Sequence, residues 1–166
     1  MRKLLPVVIT VFLMACNKNE DNPNALNEQD KTFLRQVYAS NRYEIEAGQQ
    51  ALNTSTNAGV RSFAADAINL YSAAQNDLRE LIAKINFSPD TTRIPVQAPL
   101  FSDMSGHVFD TAYMKSRVTT HQNMLAVYQN QMNEGNHTYV RYYYFNKYFE
   151  GIRSNYLRAD SIARAL

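Results

Sequence analysis

Beyond residue 27 the chain is a succession of apolar positions spaced three and four apart, the repeat of helices that each bury one face. Four stretches carry this pattern. Over residues 28–52, Leu34, Val37, Tyr38, Asn41, Ile45, Gly48 and Leu52 share a face, with Glu44 at its edge and Glu46 pointing outward. Over 58–85 the face holds Val60, Ala64, Ala67, Ile68, Tyr71, Ala74, Leu78, Ile82 and Ile85, and its alanines let a neighbouring helix approach closely. Over 108–133, Met114, Val118, His121, Met124, Leu125, Tyr128 and Met132 align, with Asp110 and Arg117 on the same side. Over 137–165 the stripe is Tyr144, Phe145, Tyr148, Ile152, Asn155, Ala159 and Ile162.

The breaks between these stretches set the architecture. Residues 53–57 (Asn-Thr-Ser-Thr-Asn) supply helix-capping side chains, and Glu134-Gly135-Asn136 ends the third stretch. Residues 86–106 contain Pro89, Pro95 and Pro99, which cannot continue a helix. A connection of that length can cross a bundle from end to end. No strand-like alternation competes beyond the tether. The expectation is an all-α, ferritin-like four-helix bundle, built from two long hairpins joined by a long crossover.

The first 27 residues have a different character. Met1-Arg2-Lys3 is basic, and residues 4–14 are apolar apart from Thr10. Eleven residues span about 16 Å as a helix, far short of the ~30 Å hydrocarbon core, so the run reads as a signal-peptide core rather than a membrane span. It ends in Leu13-Met14-Ala15-Cys16, which resembles the lipobox of bacterial lipoproteins, where the cysteine is acylated and becomes the mature N-terminus. The resemblance implies a signal peptide over 1–15, a lipidated Cys16 (palmitate as an acyl group) with a flexible tether over 16–27, and a helical domain over 28–166. The competing reading is an ordinary signal peptide cleaved near Ala15, with Cys16 an incidental thiol. Lipid attachment implies an outer-membrane protein facing the periplasm or the cell surface. The charged run 18–21 resembles the surface-export signals of Bacteroidetes lipoproteins, although a plain soluble linker has the same composition.

Charge and cysteine content narrow the function classes. The chain carries 17 Lys+Arg and 15 Asp+Glu, and loss of Arg2 and Lys3 with the leader leaves the two signs equal. A neutral domain lacks the basic face that nucleic acid requires. With one cysteine no disulfide can form within the chain, so packing alone holds the fold. There is no nucleophile elbow, phosphate-binding glycine loop or Cys-x-x-Cys, so neither an enzyme nor a cofactor is expected. The expected partners are the membrane, through the lipid, and an envelope protein or glycan.

Polar residues interrupt the apolar stripes in one zone. Asn41, Tyr71, His121 and Asn155 fall near the middle of four different faces. One reading is a structural polar layer whose members hydrogen-bond across the core. The other is a metal site using His121 and Glu44. A carboxylate-bridged di-iron centre needs several glutamates and two Glu-x-x-His pairs. This chain has no Glu-x-x-His, and Val118 precedes His121 by three. The fourth stretch is dense in aromatics: Tyr139, Tyr142, Tyr143, Tyr144, Phe145, Tyr148, Phe149 and Tyr156. They form either an exposed contact surface or a bed covered by Ile94, Val96, Leu100 and Phe101 of the crossover.

Asn41, Glu44-Ile45-Glu46-Ala47-Gly48, Val60-Arg61-Ser62-Phe63-Ala64, Phe109-Asp110-Thr111-Ala112-Tyr113 and His121, in this order and spacing, resemble the bacterial envelope family known as domain of unknown function 4142. The resemblance spans residues 30–163. It implies a ferritin-like bundle in an exported protein, with no established activity. Such proteins typically carry a histidine in each of the second, third and fourth helices. Here those positions are Tyr71, His121 and Asn155, so one histidine of three is kept.

Overall fold

A computed structural model of the protein describes residues 24–90 and 101–166, with the backbone alone for residues 142–144. Four helices account for almost all of it: α1 (Glu28–Thr54), α2 (Ala58–Lys84), α3 (Gly106–Glu134) and α4 (Phe145–Ala165). No strand occurs among the described residues. A π-helical segment, Tyr139–Tyr144, leads directly into α4. Residues 1–15 and Cys16 lie outside the described residues, as do Ile94, Val96 and Leu100. No described helix is long and apolar enough to cross a membrane.

The helix ends are written in local chemistry. Asn27 caps α1 in a reciprocal box: its side chain accepts from Asp30 N at 2.8 Å and its own N–H donates to Asp30 Oδ2 at 3.0 Å. Asn57 caps α2 by accepting from Gly59 N and Val60 N. At the other end of α2, Asn86 enters the left-handed region at φ 50°. Phe87 N then donates to Ile82 O and Asn86 N to Ala83 O, the paired bonds of a Schellman stop. Asparagine tolerates this conformation better than most residues, so α2 ends before the first proline.

α1 packs mainly on α2, and α3 on α4, as two antiparallel hairpins. The hairpins meet along two seams, α1 with α3 and α2 with α4. Asn27 Nδ2 donates to Glu134 O, joining the start of α1 to the end of α3, so these helices run antiparallel. Tyr148 hydrogen-bonds to Asp77 and Arg158 pairs with Asp66, which makes α2 and α4 antiparallel too. α2 and α3 therefore point the same way, and the chain between Lys84 and Gly106 joins opposite ends of the bundle.

The buried stripes are rotated slightly from the sequence expectation. On α1 the interior holds Phe33, Leu34, Val37, Asn41, Glu44, Ala47, Gly48 and Ala51, while Tyr38, Ile45 and Leu52 sit half-buried at the rim. Glu44, expected at the edge, is fully buried. Small residues draw the α1–α2 contact inward. A Cβ on Gly48 would lie 2.7 Å from Ile68 Cγ1 and 3.2 Å from the Ala64 carbonyl oxygen. Phe101 packs edge-on against Phe109 and Tyr113 at the start of α3. That is the opposite end of the bundle from the aromatic beginning of α4, so Phe101 does not cover it.

Asp30 fastens the other end of the α1–α3 seam. Its fully buried carboxylate accepts from Asn27 N, Asn136 N, His137 N and Gln131 Nε2 at 3.0, 3.2, 3.0 and 2.6 Å. Three of those donors belong to the end of α3 and the turn after it. Gly135 is required there by close approach: a Cβ would lie 2.6 Å from Gln131 O and collide with the amide that reaches Asp30. Each bond to a charged acceptor contributes about 1.5–3 kcal/mol. Asp30→Ala should therefore lower unfolding free energy by at least about 3 kcal/mol in urea titrations. Asp66→Ala, which removes an exposed ion pair, should cost less than about 1 kcal/mol.

Candidate functional site

The four stripes converge on a polar centre. Asn41, Glu44, Tyr71, Arg117 and His121 are all completely buried, and Asn155 is 8% exposed. α1 contributes Asn41 and Glu44 one turn apart, and α3 contributes Arg117 and His121 one turn apart. α2 contributes Tyr71 and α4 Asn155.

Glu44 and Arg117 form the heart of this centre. Arg117 Nη1 donates to Glu44 Oε1 at 2.6 Å. Nη2 donates to Tyr43 Oη and to Ser116 Oγ, both at 3.0 Å. The guanidinium lies over the rings of Tyr43 and Tyr113, at 4.7 and 5.3 Å from their centroids. Such stacking suits the planar, weakly hydrated cation of arginine. Burial pulls the Arg117 pKa down, but the Glu44 carboxylate and the phenols of Tyr43 and Tyr113 more than offset this and hold it above its ordinary value. Arg117 is therefore a fixed positive charge.

His121 sits one turn further along α3. Its Nδ1 lies 2.7 Å from the Arg117 carbonyl oxygen. A carbonyl can only accept, so Nδ1 carries the hydrogen. Its Nε2 faces Glu44 Oε2 at 4.0 Å. Burial, above all, lowers the His121 pKa, against an opposing pull from Glu44, and the ring is neutral at pH 7. The rings of Phe63 and Tyr71 flank it, at centroid distances of 6.0 and 5.7 Å. Burial, aided by the Glu44 charge, raises the Tyr71 pKa far above the phenol range, so its hydroxyl stays protonated. Asn155 lies close enough to Tyr71 to oppose that rise slightly. Neither Tyr71 Oη nor Asn155 Nδ2 has a well-aligned hydrogen-bond partner within the protein.

The sequence placed Asn41, Tyr71, His121 and Asn155 in one zone, and the structure buries all four there. Tyr71, His121 and Asn155, the positions where the family resemblance expects histidines, lie on three helices around one point. Sequence reasoning missed Arg117 as the partner of Glu44. The available signal was its position on the same face as His121, one turn before it. His107 is exposed near the start of α3, and His137 is buried beside Asp30 at the far end of the bundle, so neither joins the centre. Among the described residues no cluster of three or more His, Cys, Asp or Glu side chains is arranged to hold a metal ion.

These features define an all-helical bundle of two antiparallel hairpins around a charged, stacked mid-bundle layer. The chain belongs to the family described as Domain of unknown function (DUF4142), whose profile matches residues 16–147. The fold is similar to that in the "Crystal structure of DUF305 fragment from Deinococcus radiodurans", with a TM-score of 0.73 and 12% sequence identity. That similarity covers 85% of this chain and 99% of the other. No curated protein matches the chain.

The lowered His121 pKa makes stability depend on pH with a definite sign. Below pH about 6.5 the unfolded ring takes a proton that the folded ring resists, so the unfolded state binds more protons and stability falls as pH drops. The slope is at most about 1.4 kcal/mol per pH unit per group. Urea unfolding of wild type and His121→Gln between pH 7.5 and about 5 checks this. The variant should lose part of the acid sensitivity, whereas parallel curves would mean that His121 protonates equally in both states.

Proposed function

We propose that this protein is a lipid-anchored envelope protein whose ferritin-like helical domain works as a non-enzymatic binding or structural module. The Glu44–Arg117 pair carries the second half of this reading. In a carboxylate-lined bundle the charge of a buried glutamate can be balanced by a metal ion. Here a guanidinium at 2.6 Å balances it. Arg117 also projects a permanent positive charge into the space where a second cation would have to sit, and at low dielectric that repulsion is strong.

The anchoring half rests on the Leu13-Met14-Ala15-Cys16 signature and the polar tether after it. Two or three acyl chains on Cys16, palmitate among them, would hold the domain stably at the outer membrane where one chain would not. A candidate contact surface for an envelope protein or glycan is the π-helical segment together with the beginning of α4. There Tyr139 is 47% exposed, and the rings of Phe145 and Phe149 stack at 4.5 Å in a half-buried position.

One observation favours a second reading, a degenerate ferritin-like metal site. His121 Nε2 and Glu44 Oε2 face each other with no hydrogen-bond partner on either atom. Two measurements on the full-length protein separate the readings. Labelled palmitate should appear in wild type in the membrane fraction and be lost in Cys16→Ser, which should become soluble; an unlabelled, soluble wild type would refute the anchor. Protein purified without chelators should contain metal far below one per chain. Stoichiometric metal that disappears in His121→Ala would replace the structural reading with the metal one.

A further inference from the structure

We infer that the mid-bundle layer is a binding site for one water molecule, held between His121 Nε2 and Glu44 Oε2. This rests on the structural reading of the layer given above. Both atoms are completely buried and neither is hydrogen-bonded to the protein. Both are acceptors. Nδ1 of His121 carries the ring hydrogen, which leaves a lone pair on Nε2, and the Glu44 carboxylate paired with Arg117 offers only lone pairs. Two acceptors cannot satisfy each other at any distance. A single donor placed between them would satisfy both.

The 4.0 Å separation identifies the donor. Two hydrogen bonds of about 2.8 Å from one oxygen to acceptors this far apart enclose an angle of about 90°, close to what the two hydrogens of water supply. A metal ion at its usual ~2.1 Å from each ligand would need an angle of about 145°, far from tetrahedral. The neighbouring Arg117 guanidinium further disfavours a cation, and a neutral molecule adds no charge to the layer.

The remaining unpaired groups complete the cage. Tyr71 Oη and Asn155 Nδ2 are buried close to one another without a well-aligned hydrogen bond, and both can donate. The Tyr71 ring lies 5.7 Å from that of His121, and its hydroxyl feels both the Glu44 charge and Asn155. A water that donates to Nε2 and Oε2 keeps two lone pairs to accept from these groups. Its four partners come from α1, α2, α3 and α4, one each, so a single molecule links all four helices. A polar interior site with two to four such partners retains its water.

The test is a crystal structure of the full-length protein at a resolution that resolves ordered water, with data on both sides of the iron, manganese and zinc absorption edges. The expected result is one fully occupied peak about 2.6–3.1 Å from both His121 Nε2 and Glu44 Oε2, with no anomalous signal. A closed layer, with no peak between the two atoms, would overturn the water site and leave the structural reading intact. An anomalous peak at that position would overturn both.

Discussion

The ion pair between Glu44 and Arg117 constrains the whole bundle, because neither charge can be left alone. Both side chains are completely buried, and their mutual contact is 2.6 Å. An unpaired charge in such an interior costs several kcal/mol, whereas a buried pair taken as a unit is near neutral for stability. Its effect is therefore on arrangement. Glu44 lies in the first hairpin and Arg117 in the second, so the pair selects how the hairpins meet. Asp30 with Gln131 obeys the same register on the same two helices. Asp30 to Glu44 is fourteen residues on α1, and Arg117 to Gln131 is fourteen on α3. The cap bond from Asn27 to Glu134, three residues further out on each helix, agrees as well. A slip of one turn along this seam would break all three at once.

The second seam is held differently. Asp77 engages Lys147 and Tyr148, and Asp66 engages Arg158, all nearer the surface. Exposed pairs of this kind contribute little individually. The buried polar contacts between the hairpins thus lie along α1 and α3, and the polar centre extends from that seam through Tyr71 on α2 and Asn155 on α4. The DUF305 fragment follows a similar helical path at 12% sequence identity, so that path tolerates replacement of most side chains.

Much of this was legible in the sequence. Helix periodicity located four helices, and cap residues such as Asn57 located their ends. The proline-bearing segment implied the crossover, and interruptions in the stripes implied the polar zone. What stayed hidden depended on contacts between distant residues. An apolar wheel treats a carboxylate as outward-facing, so it placed Glu44 at the rim; only its meeting with an arginine 73 residues away lets it enter the core. Asp30 read as a first-turn acid of α1, which it is, but its second duty at the α3–α4 turn requires the folded chain. The π-helical entry to α4 has no signature in apolar spacing, because residues 139–145 are aromatic or apolar except for Arg141, whose Nε donates to Met132 O at 2.6 Å.

If register at the α1–α3 seam is set by the buried pair, Glu44 and Arg117 must act as one unit. A double-mutant cycle with Glu44→Leu, Arg117→Met and the double substitution, read by urea unfolding, measures this. Each single change strands a buried charge or empties its partner's contacts, and should cost about 3–5 kcal/mol. The double variant should cost far less than the sum, with a coupling of at least about 2 kcal/mol. Single effects that add to within about 0.5 kcal/mol would contradict the account, since they would show that the two charges do not depend on each other.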